Sequence, residues 1–179
     1  MIWLISGVPG AGKSATAHAL CRRYPRAIHI PVDDIRDFVV SGFASPLDPL
    51  TSETTRQFRL ARQAAAQMAA SYNDAGYAAV IDDVVDERYI DDFLPSFAGR
   101  PLHKVVLLPP LSVALARNRD RTNKLFDPAL LEPVSVRLDR DLRSHCRPKD
   151  GWIVIDNGKL DPDATADAVH RIATAALRQ

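Results

Sequence analysis

The sequence is poor in cysteine and has no hydrophobic run long enough to cross a membrane. Cys21 and Cys146 are the only cysteines among its 179 residues. They form no CxxC pair or Cys/His cluster, which argues against structural zinc and against a disulfide framework, so we expect two free thiols. A membrane-spanning helix needs roughly 20 consecutive apolar residues, and no run approaches that length. The opening MIWLISG also lacks the basic region of a secretory signal, which favours a cytoplasmic protein without a membrane partner.

A large excess of one charge sign is also missing. The chain has 23 Lys and Arg against 22 Asp and Glu, and 46% of its residues are hydrophobic. This composition is typical of a single soluble domain over residues 1–179 and excludes a disordered chain. The balance hides an uneven distribution, because residues 1–31 carry four bases and no acid whereas residues 32–98 carry twelve acids and five bases. A phosphate-rich ligand would favour the basic stretch, and the acidic one is unfavourable for a long polyanion.

Short β-branched and aliphatic runs alternate with helical segments along the chain. This alternation is typical of an α/β protein with a parallel sheet and helices on both faces. The five predicted strands cover residues 2–6, 27–30, 78–81, 103–108 and 152–155.

Hydrophobic periodicity predicts the helices between these strands. One follows the first strand and stops at Pro25, a long one begins near Ser52 and ends near Gly76, and the last is capped by Asp161. The residues expected on their buried faces are Ala17, Leu20, Cys21 and Tyr24 in the first, Phe58, Ala61, Ala65, Met68 and Tyr72 in the second, and Ala168, Ile172 and Ala175 in the last. Residues 42–51 form a long irregular stretch, which indicates either a substrate loop or a plain surface loop.

The strongest motif is GVPGAGKS at residues 7–14, which satisfies G-x-x-x-x-G-K-[ST] between a strand and an amphipathic helix. Glycines let the backbone wrap a polyphosphate, and the N–H groups and dipole of the helix N-terminus favour its negative charge. Lys13 would reach the β- and γ-phosphates of a nucleotide, and the Ser14 hydroxyl would bind Mg²⁺. The alternative is a strand-to-helix turn that binds nothing. The candidate nucleotide-binding residues here are Gly7, Pro9, Gly10, Ala11, Gly12, Lys13, Ser14 and Ala15.

Paired carboxylates follow two of the predicted strands. In open α/β sheets ligands bind at the carboxyl ends of the strands, so Asp33-Asp34 would lie at the same edge as the phosphate loop. One of these carboxylates could accept the proton of an attacking hydroxyl, or either could simply cap a helix. Asp82 and Asp83 are candidate supports for Mg²⁺, with Asp83 a candidate for orienting the acceptor instead; a solvated turn is the alternative.

A basic run, RNRDRTNK at residues 117–124, follows a helix predicted to begin near Ser112. Planar guanidinium groups suit phosphate oxygens, and a mobile basic lid over residues 117–128 would exclude water and stabilise transition-state charge. A merely solvated basic face is the alternative.

Taken together, these motifs and their order resemble the small P-loop kinases that include chloramphenicol phosphotransferase, zeta-type toxins and the 5′-hydroxyl polynucleotide kinases. Residues 32–34 and 80–84, with Phe58-Arg59, are similar to the antibiotic phosphotransferase. Residues 33–36 and 117–121 are similar to the polynucleotide kinases. The resemblance spans nearly the whole chain.

The resemblance implies a three-layer αβα P-loop NTPase fold, with a five-stranded parallel sheet in the order 2-3-1-4-5, that uses ATP and Mg²⁺. In both branches the residue matching Asp33 is the general base. In the polynucleotide branch the residue matching Arg36 contacts the acceptor's phosphate, and those matching Arg117 and Arg121 contact the donor phosphates.

The sequence therefore predicts a kinase that moves the γ-phosphoryl group of ATP to a hydroxyl of a small-molecule acceptor. Polynucleotide kinase activity and an ATP-dependent switch module are the alternatives, with nucleic acid a less favoured partner because of the acidic stretch at residues 32–98. The identity of the acceptor, the preference for ATP over GTP and the oligomeric state stay open.

Overall fold

The sheet contains five parallel strands in the order β2-β3-β1-β4-β5, which confirms the predicted fold. The computed structural model describes residues 1–46, 50–119 and 132–176. The strands are β1 (Ile2–Gly7), β2 (Ala27–Pro31), β3 (Ala78–Asp83), β4 (Leu102–Leu107) and β5 (Trp152–Ile155). Every residue of β1 and β3 is buried, as expected for central strands of a parallel sheet covered on both faces.

Helices flank this sheet. They are α1 (Lys13–Cys21), α2 (Val32–Asp37), α3 (Ser52–Asp74), α4 (Leu111–Arg119), α5 (Glu132–His145) and α6 (Pro162–Ala176), with short 3₁₀ segments at Glu87–Asp92, Leu94–Phe97 and Pro148–Asp150. The predicted cap of the last helix is confirmed, because Asp161 Oδ1 accepts a hydrogen bond from Ala164 N at 2.7 Å. The start of α3 is fixed by a reciprocal pair of hydrogen bonds between Thr51 and Thr54.

Strand register decides which side chains meet at the carboxyl edge of the sheet. In the central strands, Asp82 of β3 lies opposite Ile5 of β1 on one side and Pro31 of β2 on the other. The residues that follow these strands, including the glycine-rich loop after β1 and the acidic pair after β2, therefore share one edge.

Two predicted helix faces are wrong in part. Met68 and Tyr72 of α3 are exposed, and so is Ile172 of α6. In α3 the predicted Ala61 and Ala65 are buried, together with Ala66 and Ala69. In α6 the buried face runs through Ala166, Val169 and Ala173. Helix α1 also ends at Cys21 rather than continuing to Tyr24. Alanine-rich helices approach a sheet closely, so the largest apolar side chains need not mark the buried face.

Among the described residues, no helix is long and apolar enough to cross a membrane.

Candidate active site

The glycine-rich loop joins β1 to α1 and leaves the helix N-terminus open. Gly12 precedes α1 with a left-handed backbone (φ 92°), no side chain caps the first turn, and no acid lies in it. An uncapped, acid-free helix start is suited to bind an anion. Gly10 is also left-handed (φ 83°), and a Cβ atom there would lie 2.0 Å from the carbonyl oxygen of Ala114 in α4. The loop thus passes so close to α4 that only glycine fits at position 10.

Asp82 meets the phosphate-loop residues at the buried end of β3. The Ser14 hydroxyl lies close enough to its carboxylate to lower the pKa of Asp82, and the ammonium group of Lys13 lies within electrostatic range. Burial by itself would raise the pKa of Asp82. Hydrogen bonds from His29 and Ser14, together with the charge of Lys13, outweigh that effect and lower the pKa below its ordinary value. Asp82 is therefore held as a carboxylate.

The donors around Asp82 suit Mg²⁺ only in part. A serine hydroxyl beside a carboxylate provides the hard oxygen ligands that Mg²⁺ prefers. No cluster of three or more His, Cys, Asp or Glu side chains in the described ranges could hold a metal ion alone. Magnesium at this position would depend on oxygens from nucleotide phosphates and water, with Ser14 and Asp82 as the protein's contribution.

His29 is a member of this site that the sequence analysis missed. Its Nε2 atom lies 2.5 Å from Asp82 Oδ2, with both side chains largely buried. The ring of His18, one helical turn after Ser14, packs edge-on against the His29 ring at a centroid distance of 4.5 Å. A lone histidine in a short apolar strand gives no motif, so only the pairing of β2 with β3 reveals this contact.

Asp83 points to a different set of partners from those of its neighbour. Its Oδ2 atom accepts a hydrogen bond from Arg62 Nε at 2.7 Å, and its Oδ1 accepts one from Val84 N at 2.7 Å. Arg62, also buried, donates to Asp92 Oδ2 through Nη1 at 3.2 Å. Burial acts to lower the pKa of Arg62, but the charges of and hydrogen bonds to Asp83 and Asp92 outweigh it and raise that pKa. Of the two aspartates proposed for the metal, only Asp82 is next to Ser14.

Asp33 and Asp34 lie in the first turn of α2, directly beyond β2. The residue before this helix is Pro31, and no side chain caps the helix, so the capping alternative is wrong for both aspartates. Both side chains are exposed. Asp33 is two residues past Pro31, the strand partner of Asp82, which places it at the edge where the phosphate loop begins.

Arg36, on the next turn of α2, is buried with its side chain only 3% exposed. Its guanidinium lies 3.9 Å from the centroid of the Phe58 ring, and its Nη2 atom donates to the Ala44 carbonyl at 2.8 Å. Its Nε atom has no hydrogen-bond partner in the described part of the chain. Burial lowers the pKa of Arg36, opposed by the negative charges of Asp33 and other nearby aspartates.

The stretch predicted as a substrate loop is attached to α3 where it is described. The buried Gln57 donates from Nε2 to the Gly42 carbonyl at 2.8 Å and accepts from Ala44 N at 3.0 Å. The Thr54 hydroxyl donates to the Ser45 carbonyl at 3.2 Å. Residues 47–49 lie outside the described residues. The remainder of this loop borders the buried Arg36, through the Ala44 carbonyl and the Phe43 ring.

Arg117 contacts the chain just after β5. Its Nη2 atom lies 3.3 Å from the Asn157 carbonyl oxygen and 3.2 Å from that of Gly158. The buried Asn157 in turn donates from Nδ2 to the Ala11 carbonyl of the phosphate loop at 2.8 Å. Asn157 links Arg117 to that loop, a role with no sequence signal. Arg121 and most of the predicted lid at residues 117–128 lie outside the described residues.

Comparison with known proteins agrees with this arrangement. A sequence model of the AAA domain family matches residues 2–134, which include the phosphate loop and both acidic pairs. The chain belongs to the AAA domain family. No match was found among curated protein sequences.

Solved structures similar to this AAA domain share its fold at low sequence identity. A sugar kinase from Janibacter sp. HTCC2649 has a TM-score of 0.67 and 19% identity, with 97% of this chain and 92% of the other covered. The tunicamycin resistance protein of Deinococcus radiodurans has a TM-score of 0.67 and 22% identity, covering 96% and 94%. A gluconokinase from Sinorhizobium meliloti 1021 has a TM-score of 0.66 and 20% identity, covering 99% and 95%. The predicted resemblance to small P-loop kinases is confirmed at the level of the fold.

Proposed function

We propose that this AAA domain is an ATP-dependent phosphotransferase that moves the γ-phosphoryl group to a hydroxyl of a small-molecule acceptor. The observation that carries the proposal is the meeting of Lys13 and Ser14 with a buried carboxylate, Asp82, at the edge that also presents Asp33. Asp33 and Asp34 are both exposed there, at the start of α2. Neighbours whose names include sugar kinase and gluconokinase support phosphoryl transfer on this fold.

The proposed chemistry assigns one role to each group. The backbone N–H groups of residue 10 and residues 12–15, with the Lys13 ammonium, bind and orient the polyphosphate, while the N–H of Ala11 donates to the Val8 carbonyl within the loop. Ser14 and Asp82 would hold Mg²⁺, which would neutralise part of the phosphate charge. Asp33 accepts the proton of the acceptor hydroxyl while the hydroxyl oxygen forms a bond to the γ-phosphorus. The bond between the γ-phosphorus and the β–γ bridging oxygen breaks at the same time, which releases ADP. Arg117 and Arg121 remain our proposed contacts to the donor phosphates.

A small acceptor suits this surface better than a nucleic acid does. Arg36, the expected contact to an acceptor phosphate, is almost fully covered by Phe58 and the segment around Ala44. The exposed carboxylates of Asp33 and Asp34 at this edge would also repel a long polyanion. A compact hydroxyl compound meets neither obstacle.

Phosphate transfer from ATP labelled at the γ-phosphate tests the proposal. The acceptor panel should contain sugars and sugar acids, hydroxylated antibiotics, nucleosides and a 5′-hydroxyl oligonucleotide. We expect a labelled small-molecule product. Labelling of the oligonucleotide alone would favour polynucleotide kinase activity, and ATP hydrolysis that ignores every acceptor would favour the switch module.

Two variants separate binding from transfer. Lys13→Ala should abolish transfer with the fold intact, because the phosphate ligand is lost. Asp33→Asn should keep ATP affinity and lose turnover by about 10²- to 10⁴-fold, the usual contribution of a general base. Asp34→Asn is the matched control, since it removes the neighbouring exposed carboxylate. Full turnover in Asp33→Asn would refute the assignment of the base.

A further inference from the structure

We infer that His29 is a positioning residue that fixes the carboxylate of Asp82 for magnesium-dependent nucleotide binding. The inference rests on the proposed function, since it concerns the same site. Its geometric basis is the 2.5 Å contact between His29 Nε2 and Asp82 Oδ2 in the interior of the protein.

The Asp82 carboxylate is held from two directions. His29 approaches from β2 and Ser14 approaches from α1, so the carboxylate lies between the second strand and the phosphate loop. Without the histidine, one oxygen of a buried carboxylate would lose its hydrogen-bond donor and the group could rotate about its side chain. A carboxylate fixed by two donors presents its remaining lone pairs in one direction.

The His29 ring is itself held in place. The edge-on packing of His18 restricts its rotation, and the backbone pairing of His29 with Val80 in β3 sets its height along the strand. Because His18 and Ser14 are four residues apart on α1, they lie on one face of that helix. The helix that would bind the nucleotide therefore also packs against the residue that orients Asp82.

Residues that orient a carboxylate near a metal change metal affinity by about 10- to 100-fold when they are removed. Affinity for the nucleotide without metal depends on the phosphate loop and Lys13, whereas the side chain of His29 contacts Asp82 and His18. His29 should consequently affect the magnesium requirement and leave metal-free binding nearly unchanged. A residue that merely supported the fold would weaken both kinds of binding together.

The test is a fluorescence titration with mant-ATP, first in EDTA and then over a range of Mg²⁺ concentrations. For His29→Ala we expect metal-free affinity within twofold of the wild type and a midpoint for Mg²⁺ higher by about 10- to 100-fold. His29→Gln should restore most of the midpoint, because its amide nitrogen occupies the ε position. His29→Asn ends one atom short and should behave like the alanine variant.

His103→Gln is the matched control, since that histidine, on β4, packs against Trp3, and β3 and β1 separate its strand from that of His29. An unchanged midpoint in His29→Ala, or an equal loss in EDTA and in Mg²⁺, would overturn the inference. If the alanine variant does not fold, the Gln and Asn variants still test the inference. Equal Mg²⁺ midpoints in these two variants would contradict it, because only the glutamine side chain is long enough to place its amide nitrogen against Asp82. Failure of the wild type to bind mant-ATP at all would refute the proposed function instead.

Discussion

Replacing Arg62 should destabilise the protein far more than replacing an exposed arginine of the same helix. Arg62→Met keeps the length of the side chain but leaves Asp83, whose side chain is 1% exposed, without its 2.7 Å partner. Removal of one member of a buried ion pair costs about 3–5 kcal/mol, because the other charge stays buried and uncompensated. For a chain of this size each kcal/mol shifts Tm by about 2–4 °C, so we expect Tm to fall by about 6–20 °C.

Urea and thermal unfolding, followed by the fluorescence of the buried Trp3 and Trp152, measure this effect. Arg56→Met is the matched control: Arg56 lies on the same helix with its side chain 68% exposed, and its solvent-screened pair with Glu53 should contribute little to stability. The double change Arg62→Met/Asp83→Asn removes both charges and should recover much of the loss. If Arg62→Met lost no more stability than Arg56→Met, the idea that the buried pair of Arg62 and Asp83 stabilises the fold would be refuted.

Three further predictions use other features of the structure. Gly10→Ala should lower Tm much more than Gly42→Ala, because both positions have positive φ but only the Cβ at position 10 would meet a backbone oxygen, at 2.0 Å. Because the folded-state pKa of Asp82 is lowered, its contribution to stability is complete above the ordinary value of 3.8 and disappears as pH falls below it. Urea titrations should then show that the difference in free energy of unfolding between the wild type and Asp82→Asn becomes smaller below pH 3.8. A difference that stays constant with pH would contradict the prediction. Burial raises the pKa of Cys21 to about 11 and that of Cys146 to about 12. Both thiols should therefore react slowly with Ellman's reagent at pH 8 until urea is added. Rapid labelling of the folded protein would contradict this prediction.

The sheet was predictable from sequence because each strand is a short aliphatic run of fixed length. All five predicted strands match within a residue or two, and the phosphate loop falls where its motif requires, between β1 and α1. Strand order was implied by the resemblance, since composition does not determine which parallel strands are neighbours. The helix faces were less predictable, because Ala65, Ala66 and Ala69 pack closely while Met68, a larger apolar residue, is exposed.

The candidate site was predictable only where a motif carries it. Lys13 and Ser14 are part of a pattern, and Asp82 follows a strand whose end is clear in the sequence. The distinction between Asp82 and Asp83 is not in the sequence, because adjacent strand residues point to opposite faces and only the positions of Arg62 and His29 decide which partners each meets. His29 and Asn157 were missed for the same reason: each acts through one contact distant in sequence.

In the folded protein, the acidic stretch at residues 32–98 presents less negative charge to a ligand than its net charge suggests. Asp83 is paired with Arg62, and Asp82 is surrounded by Lys13, Ser14 and His29, so these two carboxylates present little unbalanced charge to a ligand. Asp33 differs from both because its side chain is exposed. In the proposed reaction, a triphosphate approaching the loop after β1 and Lys13 would therefore meet compensated aspartates, and the exposed carboxylate of Asp33 would be left for the acceptor hydroxyl. Local pairing, not the sum of charges along the chain, therefore determines the charge that this edge presents to a ligand.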